Sequence, residues 1–284
     1  MALKKKKDDG FEEVVDQIEE EGRAKLNDSV VSEDGCVYDE PLLAGYLDKE
    51  TGTVHDTFSY REMTGADEEA IGKPDVANNG GRTMTTLVER CVFKIGDITK
   101  SEIGTVRWGK IIREMYIGDL EYMMFKIREL SKGGEIEFKH RCPNCRTVIE
   151  TSVDTSEFTI NPFKGSHDVP FELRRGVKDR NGNYHKTGTV RLITGSDAEL
   201  VLPQFKKNQA SATTFLMTKL LKFDDEGDGF KLNTQMVSNM TTHDRETILD
   251  IMKENTFGVE MDVDITCPNC GEYLSTNAGT SNFL

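Results

Sequence analysis

The sequence predicts an α+β fold made of two diverged copies of one unit, and three observations carry that reading. A shift of 125 residues lays the turn Cys142-Pro143-Asn144-Cys145 on Cys267-Pro268-Asn269-Cys270. The same shift places Met115 on Met240, Asp119 on Asp244, Glu129 on Glu254, Gly133 on Gly258 and Phe158 on Phe283. Upstream, a shift of 130 pairs Gly52 with Gly182, His55 with His185, Arg61 with Arg191, Thr64-Gly65 with Thr194-Gly195 and Asp67 with Asp197. Self-similarity at a fixed offset is the signature of repeated architecture, and chance does not supply two ordered blocks that both keep their special Gly and Cys positions. The expected organisation is an N-terminal tail and helix over residues 1–34, a first repeat over 35–163 and a second over 164–284. The repeats are expected to be related by a pseudo-twofold axis.

Each copy opens with a β-hairpin. In the first, Asp48-Lys49-Glu50-Thr51-Gly52 separates two strand-like runs between Leu42 and Met63; in the second, Asp179-Arg180-Asn181-Gly182 supplies an Asn-Gly turn. Thr64 and Thr194 then stand as N-caps, with Asp67 and Asp197 three residues on as the acidic member of a capping box. Met84, Leu87, Val88, Cys91 and Val92 recur at helical spacing, as do Phe215, Leu216, Leu220 and Leu221, which predicts core-facing helices. Second helices are predicted over Asp119–Leu130 and Asp244–Asn255, stopped by Gly133 and Gly258. The stripe Leu120, Met123, Met124 and Ile127 reads as core packing rather than as an adaptable groove. Alternating residues follow, Ile136, Phe138 and His140 in one copy and Met261, Val263 and Ile265 in the other, so each copy ends strand, cysteine turn, strand.

A formal charge of −14, from 50 acidic and 36 basic residues, repels phosphate backbones and argues against nucleic-acid binding. The run Lys4-Lys5-Lys6-Lys7 reads as a solvated tail. No apolar stretch reaches membrane-spanning length and the start has no apolar signal core, so a soluble, unexported protein is expected. In a reducing cytosol, four cysteines in two CxxC pairs point to metal rather than to disulfides.

A Cys-Pro-x-Cys turn between strands reads as a zinc knuckle, in which Pro fixes φ and the tight turn aims two thiolates at one point. Zinc takes four ligands and each knuckle supplies two, so either the copies pool their cysteines or each borrows other residues. The repeat discriminates between these. His140 precedes Cys142 by two residues, but its counterpart is Ile265; His55 and His185 recur only on the hairpins, where they read as packed residues. One structural zinc per chain is therefore expected on Cys142, Cys145, Cys267 and Cys270. Four thiolates leave no position for water, so such a site holds structure and activates no nucleophile. Cys36 and Cys91 read as inert thiols.

No catalytic residues are identified. The chain has no phosphate-binding glycine loop, no Gly-x-Ser-x-Gly and no His-Glu-x-x-His. The acidic run Asp224-Asp225-Glu226-Gly227-Asp228-Gly229 has Gln235 where a calcium loop needs its closing Glu, so it reads as a solvated loop.

Several short motifs in one order carry a resemblance. Gly45-Tyr46-Leu47 and a polar hairpin are followed by Tyr60-Arg61-Glu62-Met63-Thr64-Gly65-Ala66-Asp67-Glu68-Glu69 and by Leu87-Val88-Glu89-Arg90-Cys91. Gly118-Asp119-Leu120-Glu121-Tyr122-Met123, Gly133-Gly134-Glu135 and Arg141-Cys142-Pro143-Asn144-Cys145 complete the series. From about Gly45 to Phe158 the chain resembles phage tail assembly proteins of the T-even-type base plate (baseplate hub) family, and the second copy repeats the pattern more weakly. Two units in one chain depart from that pattern. The resemblance implies a non-catalytic protein of the bacteriophage tail, in the host cytoplasm during assembly or in the virion baseplate. Its partners would be other tail proteins, of the hub or the tape measure; the oligomeric state stays open. Whether it is a structural subunit or a tail assembly chaperone for the tape-measure protein also stays open. A zinc-containing nucleic-acid regulator is the remaining alternative, disfavoured by charge.

Expected contact regions are the stretch from His140 to Phe163, the diverged segments Gly80–Arg82 and Gln204–Gln209, and a helix around Phe11 to Leu26. That helix sets Phe11, Val14, Val15 and Ile18 against an acidic face, a pattern suited to docking on a partner or on its own chain.

Overall fold

The computed structural model describes residues 31–227 and 230–277. The expected N-terminal helix, Lys4–Lys7, Asp228, Gly229 and Phe283 lie outside the described residues.

The fold mixes helices and sheets. In the first half, β1 (Cys36–Leu47) and β2 (Val54–Arg61) form an antiparallel hairpin, which β3 (Val92–Ile95) and β4 (Ile98–Thr99) extend into a four-stranded sheet in that order. In the second half, β8 (Asp168–Lys178) and β9 (Tyr184–Arg191) form the hairpin and β10 (Leu221–Phe223) joins beside β9. The predicted turns are built by their aspartates. Asp48 accepts from the Glu50 amide at 2.9 Å, and Asp179 accepts from the amides of Asn181 and Asn183, each at 2.8 Å.

Both hairpins are bulged at the same place, which the sequence did not announce. Register shifts fall between Pro41 and Tyr46 and between Glu172 and Val177, with Gly45 and Gly176 both at φ 82°. A side chain at Gly176 would meet the His185 carbonyl oxygen at 2.2 Å, so the bulge needs glycine twice over. A bulge strands backbone amides, and a buried aspartate collects them in each half. Asp119 accepts from the amides of Leu43 (2.8 Å) and Ala44 (3.1 Å); Asp244 accepts from those of Arg174 (2.9 Å) and Gly176 (3.1 Å). The two carboxylates differ electrostatically. Burial raises Asp119 to about 6, whereas at Asp244 burial is outweighed by the amides of Gly176 and Arg175, which lower it.

The capping boxes form as predicted. Thr64 and Asp67 cap the helix Gly65–Ile71, and Thr194 and Asp197 cap the helix Gly195–Phe205. Arg61 reaches Asp67 at 2.7 Å and Arg191 reaches Asp197 at 2.6 Å, so each cap is locked to its own hairpin. Asp67 is fully buried; burial alone would raise its pKa, yet the hydrogen bonds from Arg61 and Thr64 hold it well below the usual carboxylate range.

The core-facing helices are Gly80–Cys91 and Gln209–Leu220, and each passes directly into a strand. Val92 and Leu221, predicted as helical, are therefore the first residues of β3 and β10; a buried β-branched or leucine side chain satisfies either periodicity. The helix Lys100–Glu114, kinked at Gly104 (φ 77°) and anchored by fully buried Trp108, was not predicted. The second predicted helices run Ile117–Lys132 and Thr242–Glu254. Gly133 ends the first at φ 79°. Gly258 does not end the second: it lies in β11 (Gly258–Glu260) at φ 118°, where a side chain would meet the Gly118 Cα at 2.9 Å.

Two cores result, and their division does not follow chain order. The first contains Phe58, Leu87, Trp108, Met123 and Ile136, together with Val259, Met261, Val263 and Ile265 from near the chain's end. The second gathers Phe171, Val190, Leu216, Phe223 and Ile248. Met123 and Met124 are buried, so the methionine stripe packs the core. Cys91 is fully buried and burial pushes its thiol up to about 12.

Glycines bring the halves close. A side chain at Gly81 would lie 2.5 Å from the Ala198 carbonyl carbon, and one at Gly118 would lie 2.4 Å from the Phe257 oxygen. Main-chain bonds run from Ile117 N to Ile193 O and from Gly195 N to Met115 O, each 2.9 Å. β7 (Thr159–Asn161) pairs antiparallel with β11. The segment Gly80–Arg82, expected as a binding loop, is thus a helical turn spent partly on this contact; Lys206 likewise donates to the Asn78 carbonyl at 3.3 Å.

Two outcomes are expected. Because Asp119 keeps its proton to about 6 when folded, its own contribution to stability should fall as pH rises from about 4 to 6, by up to ~1.4 kcal/mol per pH unit, and the difference between wild type and Asp119→Asn in thermal unfolding should change with pH in that direction. Gly118→Ala should lower the unfolding free energy by about 1–3 kcal/mol, since backbone rather than a movable side chain opposes the methyl group.

Candidate metal centre

Both cysteine turns sit at the tips of two-stranded hairpins. β5 (Glu135–Arg141) pairs with β6 (Val148–Asp154) up to Arg141↔Val148, and β12 (Asp262–Thr266) pairs with β13 (Tyr273–Asn277) up to Thr266↔Tyr273. The predicted alternation holds from the end of β11 into β12, where Met261, Val263 and Ile265 are buried between exposed Glu260, Asp262 and Asp264.

The turns share their backbone bonds. Cys142 N donates to Thr147 O (2.9 Å) and Arg146 N to Cys142 O (2.9 Å); Cys267 N donates to Glu272 O (2.8 Å) and Gly271 N to Cys267 O (2.9 Å). The residue after the second cysteine is left-handed in both, Arg146 at φ 63° and Gly271 at φ 71°. Arginine tolerates that conformation at a cost of about 1–2 kcal/mol, which shows how strongly the turn is imposed.

The hairpins bring all four sulfurs together, each within 4.8 Å of the others. Two close separations cross between knuckles: Cys142 Sγ to Cys270 Sγ is 3.7 Å and Cys145 Sγ to Cys267 Sγ is 3.6 Å. A regular tetrahedron with bonds of about 2.3 Å to zinc has sulfurs about 3.8 Å apart, so the cluster has the dimensions of a four-thiolate site. Cys142 and Cys267 are buried, Cys145 is half-buried and Cys270 exposed. The four cysteines could bind a metal ion such as zinc.

The thiols are electrostatically unequal. Hydrogen bonds with the side chains of Thr147 and Asn269 lower Cys145 to about 5; Cys270 is lowered by the Glu272 amide but raised more by desolvation and its thiol neighbours, reaching about 12. Four crowded thiols resist joint ionisation unless a cation shares their charge.

The motif's asparagines form a second ring. Asn144 Nδ2 lies 3.8 Å from Cys270 Sγ, and Asn269 hydrogen-bonds Cys145, so each asparagine crosses to the other knuckle's second cysteine. Sequence reading missed this role, although the identical Asn in both turns was its signal.

Histidines stay outside the cluster. His55 stacks on Tyr46 beneath the Gly96 turn, while His185 lies flat on Phe230, centroids 3.5 Å apart, and bonds Asp225 of the acidic run. His140 is half-buried on β5. Among the described residues no helix is long and apolar enough to cross a membrane.

Residues 49–184 match the family model of the T4 bacteriophage base plate protein. That match supports a T4-type baseplate protein. It runs from the first hairpin turn, through Cys142 and Cys145, into β9, and stops before Cys267 and Cys270. No curated protein and no solved structure matches the chain.

Metal analysis of the reduced protein should give one zinc per chain, and Cys267→Ser with Cys270→Ser should abolish it, whereas His140→Ala should leave it intact. A ratio near two, or zinc retained by the double variant, would reject a pooled site.

Proposed function

We propose that this chain is a non-catalytic, zinc-stabilised component of a phage tail baseplate, acting in hub assembly or structure through contacts with other tail proteins. The observation that carries this reading is the base plate family match over a segment that contains one complete knuckle. The four-cysteine cluster supports the role assigned to zinc, since a set of four thiolates closes a tetrahedron and leaves no position for substrate or water.

The recurrence of bulge, buried aspartate, capped helix and knuckle in both halves supports an origin by duplication, with Cys142, Cys145, Cys267 and Cys270 as one shared site. Tying two distant hairpins through metal contributes apparent binding energies of about 10–16 kcal/mol in structural zinc sites, enough to decide whether the halves stay docked. A surface dominated by acid, at a net charge of −14, favours protein partners over nucleic acid.

Part of the stretch His140 to Phe163 is turned inward: Phe158 is buried and Phe163 packs on Phe257 and His167. Partner contacts are therefore assigned to its exposed residues around the knuckle, such as Arg141, Arg146 and Val148.

Quantitative mass spectrometry of purified virions and of tail assembly intermediates tests the role. The chain should be present in finished baseplates at a fixed ratio to other baseplate proteins. Presence on intermediates and absence from virions would transfer the reading to an assembly chaperone.

A further inference from the structure

We infer that the cysteine cluster is a clasp with two chemical forms: a metal-bound form, and an oxidised form in which disulfides join the knuckles crosswise as Cys142–Cys270 and Cys145–Cys267. The inference rests on the proposed pooled site and adds its regulation. Sulfur geometry carries it. The separations of 3.7 Å and 3.6 Å each join a cysteine of one knuckle to a cysteine of the other. Within each pair one cysteine is buried, Cys142 or Cys267, and the other is more accessible, exposed at Cys270 and half-buried at Cys145. An oxidant therefore has an entry point into each pair, and the sulfenic acid formed there has its resolving thiolate already beside it.

The chemistry balances with a peroxide as oxidant. A thiolate at Cys270 or Cys145 attacks one peroxide oxygen, the O–O bond breaks, and water leaves after protonation. The partner sulfur then attacks the sulfenic sulfur and displaces its hydroxyl as a second water. Four metal-bound thiolates, two hydrogen peroxides and four protons thus yield two disulfides, four waters and one free zinc ion.

A disulfide inside each CxxC turn would remove the ligands and leave the two turns unconnected. Here every cysteine has a sulfur contact of 3.6 or 3.7 Å on the other hairpin. Oxidation would expel the metal and leave the hairpins of the two halves covalently joined, so the contact between halves outlasts its zinc.

Full-length, zinc-loaded protein is the material for the test. Its metal content is measured first, it is then titrated with hydrogen peroxide, released zinc is followed with a chromogenic chelator, and digests are mapped without reduction. The expected result is one zinc released per chain, peptides linking Cys142 to Cys270 and Cys145 to Cys267, and thermal unfolding that EDTA no longer shifts. Disulfides within the turns, Cys142–Cys145 and Cys267–Cys270, or links to Cys36, Cys91 or a second chain, overturn the inference even if zinc binding is confirmed. Crosswise disulfides in protein that carries no zinc overturn the metal reading and leave the crosswise pairing standing.

Discussion

The buried carboxylate at the bulge of each hairpin is the contact on which the rest of the geometry depends. A bulge frees main-chain amides that water cannot reach, and each needs an acceptor or costs about 1–3 kcal/mol. Asp119 and Asp244 supply that acceptor from the first turns of the helices Ile117–Lys132 and Thr242–Glu254. Because the acceptor sits on a helix, satisfying the bulge also fixes that helix against the sheet. Each helix then launches the chain toward its knuckle hairpin, so two hydrogen-bond requirements far from the sulfurs set where the sulfurs meet.

The seam between halves completes the convergence. At Gly81 and Gly118 a side chain would clash with the main chain of the other half, so the two backbones approach more closely than any larger residue allows. Pairing of β7 with β11 runs across the same seam, and the rings of Phe163, Tyr116 and Phe257 pack around it with His167. The knuckles are thus presented to each other by backbone contacts, and the cysteine cluster closes a circuit whose other side is already built. The crossed asparagines Asn144 and Asn269 belong to the same arrangement, since each stabilises sulfur on the hairpin opposite its own.

Local chemistry made much of this legible from sequence. Thr64 with Asp67 and Thr194 with Asp197 specify helix starts through side chains three residues apart, and both caps formed where expected. The paired Cys-Pro-Asn-Cys turns named the four residues that cluster. What stayed hidden was long-range. Asp119 and Asp244 entered only as the first residues of predicted helices, because nothing near them in sequence reports the amides they receive from strands about seventy residues earlier. Gly258 was read as a helix stop because glycine after a helix usually is one; its actual partner, Gly118, lies in the other half. The helix Lys100–Glu114 went unseen because Gly104 interrupts its periodicity.

The contribution of late residues to the first core also orders events during synthesis. β7 is made before its partner β11, which begins at Gly258, and the first core lacks Val259, Met261, Val263 and Ile265 until that later segment has emerged. An N-terminal half on the ribosome therefore exposes an unfilled apolar face and an unpaired strand edge, the features that invite misassociation of nascent chains. Completion of the first core waits on strands made well after the rest of it, and those later strands are the ones that make the first half whole.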